Sequence, residues 1–244
     1  MKNLFLIFSF LCFNHFGFSQ GLPSVGIGNQ FWSSVNFNGL VFRNGDAIKE
    51  AKTKEEWLRL GYREEAAWCY YGFDSKNQSL GKLYNYYAIS DPRNIAPVGW
   101  EVPDFIDFFN LVNYLDPLNT PQYFVENGSL AGGSLKSKNL NDWTTSECEQ
   151  ISSGYNAVGA GGYSPSLDYP SGDWKKLKEA GYFWLSTDWK TIAEYIGGDS
   201  KDKILNNYNL TEKAVVFRLR NDNCKIDADD DPKINGYYLR LIKK

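Results

Sequence analysis

Glycine stands beside bulky aromatic residues repeatedly along this chain, as in Gly154-Tyr155, Gly161-Gly162-Tyr163, Gly181-Tyr182-Phe183-Trp184 and Gly236-Tyr237-Tyr238. A residue without a Cβ lets a ring lie against neighbouring backbone or permits a positive φ. This texture therefore predicts a core of large rings carried on short, tightly turned segments. The 22 Gly, 16 Tyr, 16 Phe and 8 Trp, against one Met and one His in 244 residues, have the balance of a loop-rich extracellular domain. At 43% hydrophobic and 23% charged, the chain has enough apolar mass for a core, which excludes wholesale disorder. A net charge of -3 lacks the basic excess that phosphate neutralisation requires and argues against a nucleic-acid partner.

Met1 to Gln20 has one lysine near its start, an apolar stretch from Leu4 to Phe13, and the small residues Gly17 and Ser19 before Gln20. That is the anatomy of a secretory signal peptide, with cleavage expected after Ser19. Residues 1–19 are then a leader and 20–244 a single exported domain, periplasmic, at the cell surface or secreted. The apolar stretch is about half of the roughly 20 residues needed to span a bilayer, and no other stretch could span one.

Removing the leader takes away His15, the only histidine, together with Cys12. A mature chain without histidine cannot run Ser-His-Asp or Cys-His catalysis or ligate zinc through imidazole. Carboxylates, Lys, Tyr or Cys remain as possible acids, bases or nucleophiles. Cys69, Cys148 and Cys224 remain in a compartment where disulfides form, so one is left over. Three pairings are open. Cys148 with Cys224 is favoured, because both sit in polar, loop-like surroundings, whereas Cys69 lies within the aromatic run Trp68-Cys69-Tyr70-Tyr71.

No linker divides the mature region and no period of 20 to 50 residues recurs. Thr53-Lys54-Glu55-Glu56 is a capping box ahead of Trp57 and Leu58. Asp104 can cap a second helix carrying Phe105, Phe108, Phe109, Val112 and Leu115 on one apolar face. Elsewhere short β-like runs, Gly81 to Ala88, Gly181 to Ser186, Ala214 to Leu219 and Gly236 to Ile242, alternate with Gly- and Asn-rich loops. Asp199 to Lys213 is polar and reads as a surface excursion. The fold class is α+β, with two main helices, short antiparallel strands and long loops.

Several phrases, in order, carry a resemblance. They are Ile27-Gly28-Asn29-Gln30-Phe31-Trp32, Phe42-Arg43-Asn44-Gly45-Asp46, Ala67-Trp68-Cys69-Tyr70-Tyr71 and Gly81-Lys82-Leu83-Tyr84-Asn85-Tyr86-Tyr87-Ala88. Ala96-Pro97-Val98-Gly99-Trp100, Ala131-Gly132-Gly133-Ser134-Leu135-Lys136, Gly161-Gly162-Tyr163, Gly181-Tyr182-Phe183-Trp184-Leu185-Ser186 and Gly236-Tyr237-Tyr238-Leu239-Arg240 follow. Together they resemble the Fibrobacter succinogenes major paralogous domain, a family of exported bacterial domains, over roughly Val25 to Ile242. The resemblance implies a C-type lectin-like fold and brings no catalytic residues with it. Where the family usually has a cysteine in its final strand this chain has Leu241, so a bond from Cys69 to that strand is not available.

Two sets of residues could carry binding. Asp227, Asp229 and Asp231 alternate as the early oxygen ligands of a calcium loop do, but Pro232 stands where an EF-hand needs glycine and Tyr238 occupies the twelfth position. An acidic, solvated hairpin loop explains the same residues without an ion. Lectin-type calcium signatures are absent. A calcium-independent sugar site needs exposed rings, and Trp143, Tyr163, Tyr169, Trp174 and Trp189 lie in polar contexts where exposure is expected. The function read from the sequence is an exported non-catalytic recognition module binding a glycan or a protein partner. A structural or protein-interaction domain, and a carboxylate-based carbohydrate-active enzyme, are the alternatives.

Overall fold

The computed structural model of the protein describes residues 21–117, 120–139, 141–144, 148, 151–165, 173–199, 201–202 and 212–244. The expected leader, Tyr169 and most of the 199–213 excursion lie outside them. The chain opens with β1 (Ser24–Ile27), β2 (Gln30–Ser33), β3 (Lys49–Glu50), α1 (Lys54–Gly61), β4 (Ala67–Cys69), β5 (Leu83–Tyr84), α2 (Tyr86–Ile89) and β6 (Trp100–Glu101). Then come α3 (Phe105–Leu115), α4 (Pro121–Asn127), α5 (Gly132–Leu135), β7 (Gly162–Ser164), β8 (Asp173–Lys175) and β9 (Ala180–Trp184). It closes with α6 (Trp189–Ile196), β10 (Lys213–Arg220), β11 (Ile226–Pro232) and β12 (Ile242–Lys243).

The strands form a four-stranded sheet in the order β1-β2-β12-β6, two three-stranded sheets, β11-β10-β9 and β3-β4-β5, and the pair β7-β8. The last strand thus lies beside the second, so the two ends of the described chain meet in one sheet. All neighbours are antiparallel except β3 and β4, which run parallel.

Both expected helices form, for the reasons their caps give. Thr53 Oγ1 accepts the amide of Glu56 at 3.2 Å, while the Glu56 carboxylate reaches back to the Lys52 amide at 2.8 Å. Asp104 and Asp107 make a reciprocal capping box at the start of α3. The face of α3 then buries Phe105, Phe108, Phe109 and Val112, with Phe108 stacked on Phe217 of β10 at 3.9 Å. Two helices do not exhaust the helical content, however. Thr120 and Pro121 start α4, and Asp188 caps α6 through the Thr191 amide at 2.8 Å.

The expected run Gly81 to Ala88 is only half strand. After β5 the Asn85 side chain accepts the amides of Ala67 at 3.0 Å and Ala88 at 3.1 Å, and this turns the chain into α2. The run Gly236 to Ile242 is likewise mostly irregular. Gly236, Tyr237 and Tyr238 make single bridges to Tyr163, Tyr84 and Phe183, and only Ile242 enters a regular strand. At Gly161, φ is 71° and a Cβ would stand 2.2 Å from the Lys175 carbonyl, so the close approach of β7 to the β8 end requires glycine.

One charged side chain is sealed among these elements. Arg240 is 1% exposed, and its guanidinium donates to Asn36 Oδ1 at 2.8 Å, Ser33 O at 3.0 Å, Tyr155 O at 2.7 Å and Asn156 O at 3.0 Å. Burial draws its pKa down to about 10, which still leaves it charged at neutral pH. Lysine cannot reproduce this fork. Arg240→Lys is therefore expected to lower unfolding free energy by about 3 kcal/mol, because buried carbonyls lose donors. Urea denaturation checks it, and a loss below about 0.5 kcal/mol would show the acceptors to be served otherwise.

Candidate functional site

The acidic run is not a loop. It is β11, paired with β10 in the register Arg218 to Asp227, Val216 to Asp229 and Ala214 to Asp231. The period of two in a strand places the three carboxylates on one face, where arginines of β10 meet them. Arg218 Nε donates to Asp227 Oδ1 at 3.1 Å and its terminal nitrogens reach Asp227 and Asp229, while Arg220 donates to Asp227 at 2.9 Å. Asp231 accepts the Tyr237 hydroxyl at 2.9 Å, and burial raises its carboxyl pKa. The loop expected for Asp227, Asp229 and Asp231 is thus corrected to a strand. Guanidinium groups hold the oxygens of Asp227 and Asp229. Among the described residues no cluster of three or more His, Cys, Asp or Glu is disposed to hold a metal.

Of the expected stacking rings, Trp143, Tyr163 and Trp189 are buried. Trp143 is 4% exposed and donates its Nε1 to Ala157 O at 3.1 Å. Tyr163 is buried, stacked on Trp174 at 4.2 Å and set edge-on to Phe73 at 5.2 Å and Trp57 at 5.7 Å. Trp174 is half-buried against the same rings, and Trp189 is buried at the first turn of α6. Polar neighbours in sequence misled because these rings sit at the bases of polar loops and point inward. The area a Trp or Tyr gains by burial outweighs the character of its neighbours.

Cys148 and Cys224 form a disulfide with Cα atoms 5.5 Å apart, and Cys69 is free and buried. Burial pushes the Cys69 thiol well above its usual range. Beside the disulfide the buried Lys136 Nζ donates to the carbonyls of Asn223, at 2.6 Å, and Arg220, and lies 5.0 Å over the Trp143 ring. Burial lowers its pKa to about 8. This ammonium and the disulfide together anchor the turn between β10 and β11.

That anchored turn forms one wall of a surface cleft of about 320 Å³, lined by Asp116, Tyr123, Asn127, Gly128, Ser129, Leu130 and Lys225. Helix α4 ends at Gly128, whose φ is 71° and where a Cβ would stand 2.7 Å from the Ile226 carbonyl. The chain then doubles back, and Ser129 and Ile226 exchange backbone hydrogen bonds at 2.8 and 2.7 Å. Asp116 Oδ2 accepts the Ser129 hydroxyl at 2.9 Å and the Leu130 amide at 3.0 Å, holding the carboxylate at the rim. Tyr123 keeps 52% of its surface exposed there, beside the Asn127 amide, with Lys225 next in sequence to the disulfide. A half-exposed phenol ring with a carboxylate, an amide and an ammonium can stack on an apolar face and exchange hydrogen bonds with hydroxyls. No sequence motif marked this cleft. The Thr120-Pro121 helix start, a signal present in the sequence, would have put Tyr123 on a short surface helix.

A sequence model of the Fibrobacter succinogenes major domain matches residues 25–243. The chain belongs to this family. No curated protein and no solved structure matches it. The family match spans both walls of the cleft and the Arg240 junction.

Arg218→Ala leaves the carboxylates of β11 without their main partner. We expect it to cost about 1 kcal/mol, as partly exposed pairs do, with the variant and the unaltered protein each melting alike in calcium and EDTA. Scanning fluorimetry in both buffers checks this. A calcium-raised melting temperature in the unaltered protein would contradict it.

Proposed function

We propose that this member of the Fibrobacter succinogenes major domain family is an exported, non-catalytic recognition domain of C-type lectin-like build that binds carbohydrate at the Tyr123 cleft without calcium. The observation that carries this reading is the half-exposed Tyr123 ring set beside Asp116, Asn127 and Lys225 in a concave surface. Sugars offer an apolar ring face and a rim of hydroxyls, the two features such a constellation addresses. Support for export comes from the N-terminal leader pattern and from a disulfide that an oxidising compartment would preserve. Among the described residues no helix is long and apolar enough to cross a membrane. A lectin-like build accords with end strands paired in one sheet, the capped helices α1 and α3 and long loops. The Asp116 carboxylate is turned toward Ser129 and Leu130 as a hydrogen-bond acceptor.

Glycan-array binding by the fragment from Gln20 to Lys244, with calcium and with EDTA, tests the reading. Specific binding is expected in both buffers. Tyr123→Ala should weaken it at least about tenfold, or ~1.4 kcal/mol, with little change in melting temperature because the ring is half outside the core. An array silent in both buffers, or a Tyr123→Ala protein that binds unchanged, would overturn it.

A further inference from the structure

Lys82 is 2% exposed, yet among the described residues no carboxylate lies in ion-pair contact with it. Its Nζ donates to the side-chain Oδ1 of Asn38, and to the backbone O of the same residue at 3.1 Å. The rings of Trp68 and Tyr70 flank it, with centroids 4.7 and 5.0 Å from the nitrogen. The two segments are clamped on either side of this contact. Asn36 Nδ2 donates to Leu80 O at 2.8 Å, the Lys82 amide to Phe37 O at 3.4 Å, and the Tyr84 hydroxyl to Gly39 O at 2.8 Å.

We propose that Lys82 and Asn38 are the partners of an autocatalytic intramolecular isopeptide bond that ties the loop after β2 to the residue just before β5. The amine nitrogen of Lys82 attacks Cγ of Asn38, the Nζ–Cγ bond forms, and the Cγ–Nδ2 bond breaks. The side-chain nitrogen of Asn38 leaves as ammonia and carries away, as ammonium, the proton that the Lys82 ammonium gives up. Charge and atoms balance, and no oxidant, metal or co-reactant is needed.

Three features suit the site to this step. Burial lowers the Lys82 pKa, against the opposing pull of Glu50, so the nucleophilic free amine is more accessible than in an exposed lysine. Glu50, opposite Trp68 in the β3–β4 pairing, is the carboxylate whose charge opposes that lowering. The clamped segments hold nucleophile and carbonyl together, which replaces a bimolecular encounter by a local one. Asn38 is exposed on its outer side, so the released ammonia has a path to water. An exported domain with one disulfide gains a second covalent tie that reductants cannot open.

Mass spectrometry decides the matter on the Gln20 to Lys244 protein after reduction and unfolding. The expected intact mass is that of the reduced sequence less one ammonia. A tryptic digest should lack cleavage after Lys82 and contain a branched peptide joining the Asn38 and Lys82 segments. Lys82→Arg and Asn38→Ala should each return the protein to its own sequence mass. Asn38 lies toward the surface, so that variant is expected to fold, with melting temperature as the check. Complete cleavage after Lys82 with the Asn38 peptide at its sequence mass would overturn the proposal. So would conversion of Asn38 to aspartate alone, by attack of the Gly39 amide on the same carbon.

Discussion

A buried guanidinium is the constraint on which the rest of this structure depends. Arg240 binds acceptors from Ser33, Asn36, Tyr155 and Asn156, residues 207 to 84 positions away along the chain, and none of its four partners carries a negative charge. Burying a cation without a counter-ion is costly unless its donors are fully used, and a planar fork uses them where a point charge could not. The Tyr155 ring, 4.9 Å from the guanidinium carbon, adds its negative face. Two segments, 33–36 and 155–156, that present oxygens in a dry interior are reconciled by one side chain.

The architecture follows from that junction. The Ser33 amide donates to the Leu241 carbonyl and the Leu241 amide to Ser33 Oγ, so β12 is seated against β2 immediately beside Arg240. With the ends joined, the segment Gly236 to Tyr238 needs only single bridges to three different strands, and its rings fill the space between sheets. Tyr237 stacks on Tyr182 at 5.0 Å, and Trp184 donates its Nε1 to Tyr84 O at 2.9 Å. Rings on short segments thus do the packing that long helices do in other folds. The loops are left to carry the Tyr123 cleft, with Lys136 and the disulfide steadying its far wall.

What could be read in the sequence was local. The caps at Thr53 and Asp104 lie within four residues of the amides they serve, so α1 and α3 were legible, as was the strand character of Ala214 to Leu219. What could not be read was set by distant partners. Asp227 to Asp231 looked like a solvated loop because the arginines that make it a strand are on β10, and Ile226 alone signals the buried side. The rings of Trp143 and Tyr163 carry no mark of the direction in which they point. The cleft unites Asp116, Tyr123 and Lys225 through a backbone reversal at Gly128, and only the folded chain reveals that meeting.

The central claim is that the junction at Arg240 closes the two ends into the same cooperative unit as the core sheet. Native-state hydrogen exchange tests it most directly, by comparing the amides of Ser33, Phe37 and Leu241 with those of Val216 and Phe217 in β10. If the claim holds, both groups exchange only through global unfolding, with the same free energy and denaturant dependence. Faster exchange at Ser33, Phe37 and Leu241, with little dependence on denaturant, would show a junction that opens by itself and would contradict the account.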